Sequence, residues 1–115
     1  MAGFIDIACN FTHPSFAENL THVLLDAEAV DVKKFVLLCA SLKDLESIQS
    51  IQSRDPSKFF ITAGIHPHHA SEIHDLKGLP LMDIIASIQP DAIGETGLDY
   101  FRNISPPEIQ RESFA

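Results

Sequence analysis

Seven polar residues stand where a chain usually keeps apolar ones or turns sharply. Asp6 interrupts the run Phe4-Ile5-Asp6-Ile7-Ala8-Cys9 and Asn10 follows it. His66 and His68 come directly after the run Phe59 to Ile65, Glu95 and Asp99 close the run that begins at Asp91, and Arg102 is the cation nearest to them. Imidazole combined with carboxylate oxygen suits Zn, Mn, Mg or a related divalent ion, with Mg preferring sites richer in oxygen. The same groups can act as general acid and base.

Each residue also has an ordinary structural role. Glu95 sits between Gly94 and Thr96-Gly97, and a carboxylate ending an apolar strand is costly to bury unless paired or coordinated, which favours a working role. In His66-Pro67-His68-His69 the residues i and i+2 point the same way in an extended chain, as ligands would, yet a loop of solvated histidines gives the same string. Asp6 reads equally as a catalytic group or as an acceptor for loop amides, and Asp99 as a site residue or the start of a turn. Arg102 is placed to meet a phosphate oxygen or a neighbouring acid. His13, His22 and His74 read as surface or capping residues.

Such residues act together only if elements converge on one rim. Four short runs rich in apolar and β-branched residues, Phe4 to Cys9, Lys34 to Ala40, Phe59 to Ile65 and Asp91 to Glu95, alternate with helical patterns. The first and second read as buried strands, the second apolar throughout as in a sheet covered on both faces. Phe16, Leu20, Val23, Leu24, Ala27 and Val30 recur at steps of three and four. Ser41 is placed to cap a helix carrying Leu45, Ile48 and Ile51 or Gln52. Leu79 to Ile88 forms a third helix stopped by Pro90. Ser105-Pro106-Pro107-Glu108 reads as a start, with Ser105 the cap, Pro106 the first helical residue and Glu108 the third. Successive strands are separated by about one βαβ unit of roughly 30 residues, so the sheet is parallel and its C-terminal strand ends lie on one edge.

Length and charge narrow the reading. With 115 residues the chain supports one modest core, whereas a closed (β/α)₈ barrel takes roughly 200 to 250. The fold class expected is α/β, parallel βα repeats amounting to the first four units of such a barrel, in one incomplete domain. Eight Lys and Arg against sixteen Asp and Glu give a net charge of −8, so no general basic surface attracts a phosphate backbone. Cys9 and Cys39 lack CxxC spacing and read as reduced core residues. No secretory leader or membrane span is legible. The chain therefore reads as cytoplasmic or nuclear and not secreted, and its Asn-x-Ser/Thr triplets at Asn10, Asn19 and Asn103 as chance.

Three strings then point to a family. Phe4-Ile5-Asp6-Ile7-Ala8-Cys9-Asn10-Phe11-Thr12, Thr62-Ala63-Gly64-Ile65-His66-Pro67-His68 and Ala92-Ile93-Gly94-Glu95-Thr96-Gly97-Leu98-Asp99-Tyr100 occur in order and at matching spacing. Together with Arg102-Asn103 and Gln110 to Phe114 they resemble the N-terminal half of a TatD-type metal-dependent deoxyribonuclease. The resemblance implies an amidohydrolase-like TIM barrel, one or two divalent ions (Mg, Mn or Zn), and hydrolysis of DNA from a 3′ end. It matches Glu95 to a metal-bridging carboxylate and His66 to a histidine at the site mouth. Where many members carry His-x-His after the first strand, this chain has Ala8 and Asn10, and the family's later ligands lie in a second half that it lacks.

On this reading His66, Asp6 and Asp99 are catalytic, Glu95 and His66 are metal donors, and Asn10, His68 and Arg102 contact substrate. A metal that activates water needs about three protein ligands, so the chain alone is expected to be weakly active or inactive, and its open sheet edges to self-associate. Competing readings are a non-catalytic α/β module that binds a ligand or partner, a half-fold kept for interaction or regulation, and a small-molecule hydrolase.

Overall fold

The structure, a computed structural model, describes residues 2–115. Four strands, β1 (Phe4–Cys9), β2 (Val32–Leu37), β3 (Phe59–Ala63) and β4 (Ala92–Ile93), form one parallel sheet in the order β1-β2-β3-β4. Between and after them run α1 (Leu20–Ala29), α2 (Leu45–Gln52), α3 (Leu81–Ile88) and α4 (Pro107–Phe114). Three 3₁₀ segments, Pro14–Phe16, Leu42–Asp44 and Pro67–Asp75, lead away from the C-terminal ends of β1, β2 and β3. Each successive strand adds to the same side, so the sheet curls as half a barrel and its strand ends share one rim.

The core forms where alternating strand residues meet the helices. Phe35 and Leu37 of β2 and Phe59, Ile61 and Ala63 of β3 are buried against Leu45, Ile48 and Ile51 of α2, with Leu20 and Ile85 joining from α1 and α3. Phe35 and Phe59 stack at 5.6 Å between ring centroids. Leu37, Ile48 and Ile61 are fully buried, each contributing roughly 1.5–3 kcal/mol of transfer free energy. Ser41 accepts the Lys43 N–H, as a cap should, and in turn donates to the buried Glu72 carboxylate, which also takes the Leu42 N–H. Cys9 and Cys39 are buried free thiols. Among the described residues no helix is long and apolar enough to cross a membrane.

Four expectations need correction. Strand β1 is not buried: of its six residues only Cys9 is, while Phe4 and Ile7 are 70% and 73% exposed. It is an edge strand paired with β2, and the described residues leave most of it uncovered. The second sheet face is only partly covered: Lys34 is exposed with its ammonium 5.4 Å from the Phe60 ring, Val36 and Phe60 are half-buried, and Thr62 is buried. Val30 lies past the end of α1 and is exposed. Finally, Ser105 does not cap α4; Pro106 occupies the cap position with ψ 142° and Pro107 begins the helix. The ring of Pro107 excludes the helical conformation from the residue before it, and Ser105 is buried with its hydroxyl toward the His68 carbonyl.

Strand boundaries also differ. Pairing ends at Leu37, Ala63 and Ile93 rather than at Ala40, Ile65 and Glu95, because the segments beyond bond across the rim instead of along the ladder. The exposed apolar edge predicts association. In sedimentation velocity the average mass should rise above 12.7 kDa with concentration, and Ile7→Lys should return it to the monomer. A folded monomer at all concentrations would contradict this.

Candidate functional site

Backbone hydrogen bonds across the rim place the site. The Leu38 N–H donates to the Cys9 carbonyl at 2.9 Å, the His66 N–H to the Ala40 carbonyl at 2.8 Å, and the Glu95 N–H to the Cys39 carbonyl at 2.6 Å. The buried Thr62 hydroxyl accepts the Cys39 N–H at 3.0 Å. Gly64 lies so close to the Gly94-Glu95 backbone that a Cβ there would sit 2.5 Å from the Glu95 carbonyl oxygen. No larger residue fits without pushing Glu95 outward. The segment after β2 is thereby the seat for both His66 and Glu95.

Glu95 and Asn10 line one groove of about 360 Å³, with Thr12, His13, Ala40 and Asp44 among its walls. Beside it stands a second cluster. His66 caps the 3₁₀ segment Pro67–Asp75, its Nδ1 accepting the His68 N–H at 3.0 Å, and the two imidazoles meet edge to face at 4.4 Å. His68 Nε2 lies 2.6 Å from Asp99 Oδ2. Asp99 Oδ1 accepts the Arg102 N–H at 3.0 Å, while the Arg102 guanidinium approaches Asp99 Oδ2 at 3.6 Å and stays exposed. Asp6 stands apart: it is exposed on β1, bonded to the Ala8 N–H, and does not line the groove.

Protonation follows from these contacts. Burial pushes the His66 imidazole below the ordinary histidine range, and the negative charge of Glu95 opposes that shift. Because Nδ1 accepts a backbone N–H, the neutral ring carries its proton on Nε2. In that tautomer the ring donates a hydrogen bond from Nε2, whereas ligating a cation through Nε2 takes the other tautomer. Asp99 is held below the usual carboxylate range by the Arg102 N–H and then by His68. Burial, with help from Asp6, pushes the Cys9 thiol up to about 12, and burial also raises Cys39, so neither offers a thiolate at neutral pH. Among the described residues no three His, Cys, Asp or Glu side chains cluster in a way that would hold a metal ion. The donor set falls short of the roughly three protein ligands of a catalytic ion, so these residues do not complete a metal site by themselves.

Sequence reading missed two supports of this rim. Thr62 looked like one more β-branched strand residue. Gln110 enters the sequence reading only as the first residue of the tail Gln110 to Phe114, and its spacing of three from the half-buried Pro107 is the signal that could have found it. It is 1% exposed, its amide oxygen accepting the Asp99 N–H at 2.7 Å and its nitrogen donating to the Asp99 and Ser105 carbonyls at 3.2 and 2.7 Å.

The His66 environment gives a signed prediction. A fold that favours the neutral ring binds fewer protons than the unfolded chain below about pH 6.5. Stability should therefore fall as pH drops through about 6.5 toward the depressed folded value. The Asp99 contribution persists to lower pH and is lost only as pH falls through its own depressed value. In an NMR titration the His66 midpoint should lie below about 6.5, and Glu95→Gln should lower it further by removing the opposing charge. A midpoint at or above that value, or an upward shift in the variant, would contradict this electrostatic picture.

Comparison with known proteins agrees with the geometry. The family model described as TatD related DNase matches residues 5–115. The chain is 36% identical over 109 residues to the 3'-5' ssDNA/RNA exonuclease TatD of Erwinia billingiae and 32% identical to that of Escherichia coli K12, covering 95% of this chain and 42% of either relative. It thus spans less than half the length of these relatives. Its fold superimposes on the crystal structure of a hydrolase TatD family protein from Entamoeba histolytica with a TM-score of 0.82 at 26% identity, over 97% of this chain and 43% of that one. The four parallel βα units are accordingly the N-terminal part of a TatD-type TIM barrel, and the chain belongs to the TatD related DNase family.

Proposed function

We propose that this chain forms the N-terminal part of a nuclease that hydrolyses phosphodiester bonds of DNA from a 3′ end. The observation that carries the reading is the seating of Glu95 beside Asn10 in the rim groove, next to the His66, His68, Asp99 and Arg102 cluster. Family membership and the exonuclease relatives support the reaction class.

The residues divide the work by chemistry. Neutral His66 offers an Nε2–H to a phosphate oxygen, where a donor is worth most in a partly desolvated site. Asp99 fixes His68 and steers Arg102, the cation of this rim, toward the phosphate side. Asn10 faces the same groove and is assigned to substrate. Glu95 supplies a carboxylate that can accept a proton or ligate a cation. A divalent ion, Mg, Mn or Zn, is part of the proposal, with Glu95 and, in the tautomer that frees Nε2, His66 as its donors from this chain, and further donors from the part of the barrel that the longer relatives carry. Asp6 is the catalytic assignment that the geometry supports least, since its carboxylate is engaged locally by Ala8.

The shortage of donors favours one second reading, a non-catalytic α/β module that binds a ligand or partner through the same rim. A 3′-labelled single strand incubated with Mg²⁺ or Mn²⁺ separates the two. The 115-residue chain should degrade it slowly or not at all. A chimera extended with a relative's C-terminal segment should shorten it from the 3′ end, and Glu95→Ala in the chimera should lower that rate about 100-fold or more. Full activity in the Glu95→Ala chimera would overturn the role of Glu95. Rapid Glu95-dependent cleavage by the short chain would overturn the incompleteness argument, and an inactive, well-folded chimera would favour the binding module.

A further inference from the structure

The loop between β4 and α4 carries an aromatic ring that none of the described residues covers. Phe101 is 97% exposed, the highest value for any large apolar residue among those described, with Tyr100 beside it at 49%. Single exposed apolar residues are common, but this one stands on a hydrogen-bonded support. Gln110 clamps both backbone groups of Asp99 and the Ser105 carbonyl, the Asn103 N–H returns to the Asp99 carbonyl at 3.1 Å, and Arg111 reaches the Tyr100 hydroxyl at 3.4 Å. A ring presented on a fixed loop loses little conformational freedom when a flat partner lands on it.

The neighbours of the ring indicate which flat partner. Arg102 follows directly, its guanidinium exposed and turned only partly to Asp99. Asp99 is the residue that holds His68 in the candidate site, so the loop borders the place where a phosphodiester would be handled. An exposed aromatic face next to a cation is the combination by which proteins hold unpaired bases, the ring stacking on a base and the cation meeting the adjoining phosphate. We propose that Tyr100, Phe101 and Arg102 form a stacking platform for one unpaired nucleobase of a single strand. The proposal rests on the nucleic-acid reading above and deepens it. It accounts for how a chain with a net charge of −8 engages a polyanion: a base face contributes contact without adding phosphate repulsion.

The sequence supplies its own reporter, since Tyr100 is the single tyrosine and there is no tryptophan. Tyrosine emission and the anisotropy of an end-labelled strand would be followed while the chain is titrated with oligothymidylate, or with an abasic strand of equal length. Oligothymidylate should quench Tyr100 and bind more tightly than the abasic strand. Phe101→Ala and Phe101→Leu should each weaken oligothymidylate by a factor of roughly 5 to 150, the equivalent of about 1–3 kcal/mol, while Phe101→Trp retains it. Arg102→Ala should weaken both strands alike. Circular dichroism checks that each variant is folded, which the exposure of Phe101 favours.

Equal affinity for the two strands, or undiminished binding by Phe101→Leu, would overturn the platform while leaving the nuclease reading intact. Absence of strand binding would overturn the platform in this chain, and the chimera cleavage assay decides the nuclease reading separately. A Phe101→Ala change that altered sedimentation instead of strand binding would assign the ring to a protein contact and overturn the proposal.

Discussion

The seating of Glu95 and His66 on the rim depends on two carbonyls. Those of Cys39 and Ala40, in the short segment after β2, accept the amide hydrogens of Glu95 and His66, residues that enter from two other strands. Thr62 in turn accepts the Cys39 N–H from inside the sheet. A parallel ladder would have spent these groups on strand pairing; here they leave the ladder and bond across it. Strand pairing therefore stops early in β2, β3 and β4, and the residues beyond become the site. Gly64 is part of the same arrangement, because only a residue without a side chain admits the Glu95 backbone so closely.

This arrangement explains how a single half barrel can present an ordered site while remaining an unfinished fold. The ordered part is the middle of the sheet, where α2 packs its buried Leu45, Ile48 and Ile51 against β2 and β3. The unfinished part is its two edges, where β1 and β4 expose apolar residues such as Phe4, Ile7 and Ile93. Glu95 and His66 hang from the ordered middle, whereas Asp6 belongs to the exposed edge. What sets Glu95 and His66 apart from Asp6 is their backbone bonding to the segment after β2 rather than their residue type.

Much of this was legible in the residues. The alternation of apolar runs with helical stripes gives the four βα units in order, Ser41 caps as its position requires, and both cysteines are buried thiols. Burial of β1 was not legible, because an apolar run says that a strand suits a covered position and cannot say what covers it. The start of α4 was misplaced by one residue because the serine signal is overridden by the steric demand of Pro107 on Pro106. That His66 and Glu95 reach one rim follows from strand order alone. The mutual orientation of the rim residues does not, since it is set by backbone bonds and by Gln110, a polar side chain buried where helical pattern reading expects an apolar one.

The central claim is that the Cys39 and Ala40 carbonyls, supported by Thr62, hold Glu95 and His66 in place. Amide hydrogen exchange followed by NMR in the native chain and in Thr62→Val tests it most directly. Removing the hydroxyl leaves the buried Cys39 N–H without its acceptor, at a cost of about 1–3 kcal/mol. The account predicts that the Glu95 and His66 amides exchange as slowly as those of β3 although both lie outside any strand, and that Glu95 exchange accelerates about tenfold or more in the variant. Exchange at these two amides as fast as in the exposed loops, or indifferent to Thr62→Val, would contradict it.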